Sequence, residues 1–233
     1  MDNLPIHINV VFGITTFLTV WLFYKAAHNS KTFLLLTMAW LAIQSVIGIS
    51  GFYVITSATP PRFPLLIIPP LLSIIALFVT AKGRKFLDGL DAKTMTILHT
   101  VRIPVEIVLL WLSMYQMVPK LMTFEGRNFD IVSGITAPLV FYFGYVKPTL
   151  SRNVMLTWNI VCLGLLINIV TNAALSVPAP FQKFAFDQPN IGILHFPIIW
   201  LPCCVVPIVL LSHLATIRQL LYKQSVSINN KRD

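Results

Sequence analysis

The chain has 233 residues, 56% of them hydrophobic and only 11% charged, with a formal net charge of +9. A water-soluble domain carries about 25% charged residues, so a soluble globular enzyme is excluded, and the same shortage of charge excludes a disordered chain. Three cysteines are too few for a disulfide scaffold, and a mean hydropathy of +0.79 leaves a polytopic membrane protein.

A bilayer-crossing helix needs about 20 mostly apolar residues. Seven stretches qualify, at 5–25, 32–56, 63–81, 94–119, 130–147, 153–176 and 193–217. They do not alternate in polarity, as the strands of an outer-membrane barrel would. The connections are short, and none is long enough for a separate soluble domain. The start, Met1-Asp2-Asn3-Leu4-Pro5, has no basic n-region, so the first stretch reads as a span rather than a signal peptide.

The basic residues set an orientation. Lys25, Lys31, Lys82, Arg84, Lys85, Lys93, Lys147, Arg152, Arg218, Lys223, Lys231 and Arg232 fall after spans 1, 3 and 5 or in the C-terminal tail. Only Arg62, Lys120, Arg127 and Lys183 fall on the other side. The skew predicts an N-terminus outside, a C-terminus in the cytoplasm, and insertion in a bacterial inner (plasma) membrane. Nucleic acid is not an expected partner, because no soluble element presents a basic face. The expected partners are membrane lipid and a small-molecule or ion ligand. Nothing in the pattern sets an oligomeric state.

Residues 11–40 align without gaps on 132–161, with eight identical positions in thirty, among them Val11, Gly13, Ile14 and Thr15 against Val132, Gly134, Ile135 and Thr136. Spans 3 and 7 open alike, with Phe63-Pro64 and Pro69 against Phe196-Pro197 and Pro202. The expected fold is therefore an all-α integral membrane protein of seven transmembrane helices with a 3+1+3 parallel internal repeat. Residues 1–81 form the first three-helix unit, 82–128 a linker helix with its loops, 129–222 the second unit and 223–233 a cytoplasmic tail. This layout resembles the SWEET sugar carriers in topology, size and orientation, and the resemblance implies a small-solute path. Here, unlike in that family, span 4 holds the most polar intramembrane residues of the chain.

Span 4 contains His99, Arg102 and Glu106, at i, i+3 and i+7. On an α-helix these fall within about 60° of one another and share a face. Ionisable groups at this depth are costly and turn toward the bundle interior. An Arg102–Glu106 pair is expected, and the face is the candidate substrate, proton or ion site. Pro104 removes the hydrogen bond to the carbonyl of Thr100. His99 and His213 lie about 10–12 Å to the cytoplasmic side of their spans' midpoints at ~1.5 Å per residue. Asn159 falls at the same level, so the candidate substrate-binding set is His99, Arg102, Glu106, Asn159 and His213.

The connections 124–130 and 186–190 carry Glu125, Arg127, Asp130 and Asp187, a candidate outer mouth over a central cavity. Asp130 and Asn190 stand just before spans, where they are expected to act as helix N-caps. Cys162, Cys203 and Cys204 fall inside spans and read as small buried hydrophobes. No nucleophile-elbow, His-x-x-x-His or Cys-x-x-Cys pattern is present. No cofactor is expected in the leading reading, a small-solute transporter with possible proton coupling or a heptahelical ligand-binding protein. The alternative is an intramembrane metal- or haem-dependent enzyme or electron carrier using His99 and His213, with His7 and His195 as a second pair.

Overall fold

The computed structural model describes residues 4–229, with side chains described through residue 222. Residues 1–3 and 230–233, the latter including Lys231 and Arg232 of the basic skew, lie outside the described residues. Among the described residues nine α-helices make up the framework: α1 (Ile6–Ala26), α2 (Lys31–Ile49), α3 (Pro64–Val79), α4 (Ala81–Gly89), α5 (Ala92–Leu98), α6 (Arg102–Met114), α7 (Ile131–Phe141), α8 (Arg152–Leu175) and α9 (Val206–Asn229). Among the described residues there is no strand. The predicted tail 223–233 begins inside α9.

Among the described residues five helices are long and apolar enough to cross a membrane: Ile6–Ala26, Lys31–Ile49, Ala92–Met114, Arg152–Leu175 and Leu201–Tyr222. The chain is thus a helical membrane protein. The other two predicted stretches differ. Helices α3 and α4 are bent by 94° at Thr80, and Ile131–Val146 is a shorter apolar helix.

The bend has a local cause. Thr80 is extended and its hydroxyl accepts from Gly83 N–H, which starts a new helix there. Gly83 packs on the backbone of Leu77, where a Cβ would come within 2.3 Å of the Leu77 carbonyl, so only glycine permits the fold-back. Arg84 donates to the carbonyls of Phe78 and Val79 at the end of α3. Arg218 holds Asp88 through two bonds of 2.8 Å, and Gln219 donates to the carbonyls of Leu87 and Leu90. These contacts fasten α4 against α9.

The span Ala92–Met114 runs through the centre. A single 3₁₀ turn, His99–Val101, joins α5 to α6 just before Pro104. Such a turn tightens the helix where the proline cannot supply its N–H. Helix α1 packs along both α5 and α6, and so does α7 on another side. The threonines of α1's buried face, Thr15, Thr16 and Thr19, donate to the carbonyls one turn back, which satisfies their hydroxyls inside the bundle.

A π-helical turn, Leu201–Val205, precedes α9. Pro207 has no N–H for the carbonyl of Cys203, and the indole of Trp40 on α2 donates to that carbonyl instead, at 3.0 Å. Trp200 donates to Ser45 at 3.1 Å, and Gly48 lies under Ile199. These contacts tie one stretch of α2 to the start of the last helix. Nearer its N-terminus α2 stands away from α3. Helix α8, by contrast, packs along α9.

Candidate functional site

Arg102 opens α6 and is 3% exposed. Its Nε lies 3.2 Å from Asp130 Oδ2, so its ion-pair partner is Asp130 at the start of α7, not the expected Glu106. The approach is possible because Gly134, one turn into α7, sits against Ile103 and Arg102 Cβ; an added Cβ would come within 2.9 Å of Ile103 Cγ1. Asp130 stands at the N-cap position of α7, but its side chain makes no capping bond and turns to the guanidinium. Both Nη atoms of Arg102 are buried without a hydrogen-bond partner among the described residues.

Glu106 is held by Asn128. The Asn128 amide lies 2.6 Å and 2.7 Å from the two carboxylate oxygens and also donates to the Met122 carbonyl at 3.0 Å. Asn128 Oδ1 accepts from the backbone N–H of Asp130. One fully buried asparagine therefore fixes both the Glu106 carboxylate and the backbone that carries Asp130. Sequence reasoning missed Asn128. The signal was its place in the polar stretch Phe124–Asp130, which reads as surface loop but folds back into the bundle.

One turn before Arg102 on the same span, His99 and His213 stack with ring centroids 3.7 Å apart and planes at 13°. Asn159 Oδ1 lies 2.9 Å from His213 Nδ1. His99, Asn159 and His213 are thus brought together from the α5–α6 turn, α8 and α9, and all three are buried. Trp158 closes the cluster: its ring meets His99 edge-on at 5.7 Å, and its indole donates to Thr136 at 2.9 Å. Neither ring nitrogen of His99 has a hydrogen-bond partner among the described residues. Imidazoles stacked face to face leave no room for an iron between them. His7 lies against Trp111 with centroids 4.9 Å apart, in an edge contact.

The other mouth residues are dispersed. Glu125 is exposed and 3.3 Å from exposed Lys120. Arg127 and Asp187 are exposed, and the Arg127 carbonyl accepts from Asn168. Asn190 is buried, its amide donating to the Ala173 carbonyl rather than capping a helix. All three cysteines are buried and free. Among the described residues no group of three or more His, Cys, Asp or Glu converges as a metal site.

A cavity of about 180 Å³ adjoins the charged group. Its polar edge includes Glu106 and Asp130, and its walls are largely apolar, with Phe63, Ile67, Leu166, Val170 and Leu210 among them. It joins α3, α6, α8 and α9, so it lies between elements from both ends of the chain. Phe63 and Pro202 of the two repeated motifs both line it.

Fold and site together define a helical membrane protein with a buried charged group beside a small apolar cavity. The chain belongs to the family described as Domain of unknown function (DUF8737), which it matches over residues 60–221. The match starts just before α3 and contains every residue of the two buried polar groups. No curated protein and no solved structure matches the chain.

Proposed function

We propose that this protein is a small-solute carrier or heptahelical ligand-binding protein of the bacterial inner membrane, with its site at the Arg102–Glu106 face of the central span. In this reading the bent α3–α4 pair and the short Ile131–Val146 helix each count as a span, giving seven in a 3+1+3 repeat. The N-terminus lies outside and the C-terminus in the cytoplasm, as the basic skew favours. A short span is accommodated by local thinning of the bilayer.

One observation carries the reading: Glu106 and Asp130, the latter paired with Arg102, line the edge of a cavity with apolar walls. Fully ionised, Arg102 supplies one positive charge, and Glu106 and Asp130 supply two negative ones. The surplus negative charge is neutralised by one proton or by one cationic head group. A solute with a short apolar body and a single ammonium group matches both walls and charge. Proton coupling follows from the same arithmetic, since proton and cation compete for one surplus charge. His99, Asn159 and His213 then form the inner end of the path.

The test uses six-carbon probes on the purified protein. Hexylammonium should raise the thermal midpoint in a dose-dependent way, while hexanol and hexanoate should not. Glu106→Gln should abolish the shift. In proteoliposomes under an imposed pH gradient, labelled hexylammonium should accumulate faster than in protein-free liposomes if the protein is a carrier, and at the protein-free rate if it is a binding protein. Equal shifts with all three probes, or a shift that survives Glu106→Gln, would overturn the assignment.

A further inference from the structure

A second and larger cavity, about 760 Å³, lies where α2 and α3 stand apart. Its walls are mostly apolar, from Phe33, Leu36 and Trp40 on α2, Ile74 and Leu77 on α3, and Ile208 on α9. It shares only Pro207 with the cavity beside Glu106. At one end it reaches Ser30 and Thr32, at the start of α2, and Phe86 on α4. That end is basic. Lys31 stands between Ser30 and Thr32, and Lys82 lies one turn before Phe86, on the same side of α4. Lys85 adjoins Phe86, and all three lysines are exposed. The acidic group of α4, Asp88, is engaged by Arg218.

We propose that this groove is a binding site for one anionic phospholipid, with an acyl chain between α2 and α3 and the phosphate at Lys31 and Lys82. An acyl chain is the occupant that fits long apolar walls between two helices. The lysines at one end select the sign of the head group, as basic pockets beside membrane helices do. The fold holds the site open. Trp40 is tied to the carbonyl freed by Pro207, and the fold-back at Thr80 brings α4 and its lysines to the groove's end. The proposal is independent of the solute site.

Native mass spectrometry of the whole protein in an equimolar mixture of phosphatidylglycerol and phosphatidylcholine reads lipid adducts and oligomeric state together. The wild type should retain one phosphatidylglycerol in preference to phosphatidylcholine. Replacing Lys31→Gln and Lys82→Gln should erode that preference by about fivefold for each lysine. Ser73→Trp, an exposed wall position, should abolish retention of both lipids by filling the groove. A measurement on the unmodified groove stands beside it. One equivalent of phosphatidylglycerol with brominated acyl chains, added in detergent, should quench wild-type tryptophan fluorescence more than that of Trp40→Phe. Equal retention of the two lipids, or quenching that is the same with and without Trp40, would overturn the proposal. So would a dimer that dissociates in Ser73→Trp, because the groove would then hold a second copy of the chain.

Discussion

The histidine cluster and the Arg102–Glu106 cluster sit on consecutive turns of one span, yet they recruit their partners differently. His99 meets His213 and Asn159, which arrive on α8 and α9, helices whose depth in the bundle is set by their own lengths. Arg102 and Glu106 meet Asp130 and Asn128, which arrive on the connection before α7. The first cluster is two stacked rings and an amide bonded to one of them. The second is ions whose burial requires partners within bonding distance. The contrast teaches that sharing a helix face does not make two charges a pair. Arg102 and Glu106 are one turn apart, but each finds better geometry off the helix.

The largest effect should come from breaking the ion pair. Arg102→Gln leaves Asp130 buried without a counter-charge, which costs about 3–5 kcal/mol in such sites. Thermal unfolding in detergent should show this as a large fall in midpoint. Arg102→Gln with Asp130→Asn should recover much of the loss, because both ions are then removed. Arg102→Gln with Glu106→Gln should recover little. The opposite ranking of the two doubles would make Glu106 the true partner and erase the contrast between the clusters.

What the sequence revealed follows the same division. Apolar length located the five helices that are long enough to cross a membrane among the described residues, since each needs only local composition. The meeting of His99, His213 and Asn159 was legible because rise per residue converts position along a helix into height. The 94° turn at Thr80 was not, because it rests on Gly83 packing against Leu77, a contact that hydropathy does not register. Nor was Asn128, whose neighbours Phe124, Glu125 and Arg127 are exposed and mark the segment as surface. A loop that folds inward looks like any polar loop until its partners are known.

A smaller effect should follow from removing the clamp on Glu106. Asn128→Leu takes away the amide that lies against both carboxylate oxygens, and an unsatisfied buried acceptor costs about 1–3 kcal/mol, more when charged. Pairing it with Glu106→Leu should recover the part of the loss owed to the carboxylate, while the Asp130 N–H and the Met122 carbonyl stay without Asn128 and hexylammonium binding stays lost. If Asn128→Leu alone leaves the midpoint unchanged, Glu106 has another partner and the loop is not what holds it.

The smallest effects separate the two histidines. His213 has a hydrogen bond to Asn159 as well as the stack, whereas the ring nitrogens of His99 have no hydrogen-bond partner among the described residues. Phenylalanine keeps a flat ring in either place. His213→Phe should cost about 0.5–1.5 kcal/mol, the net worth of one hydrogen bond, and strand the Asn159 carbonyl oxygen. His99→Phe should cost less, since it removes two buried polar atoms that gain nothing from the protein. The two midpoints, measured side by side, rank the positions directly. Transport or binding should respond in the reverse order. In the proposed path this ring, with no hydrogen bond among the described residues, takes the proton or solute, so His99→Phe should impair hexylammonium uptake more than it impairs folding. If His99→Phe instead lowers the midpoint as far as Arg102→Gln does, His99 is a structural member of the charged group. The two clusters would then be one.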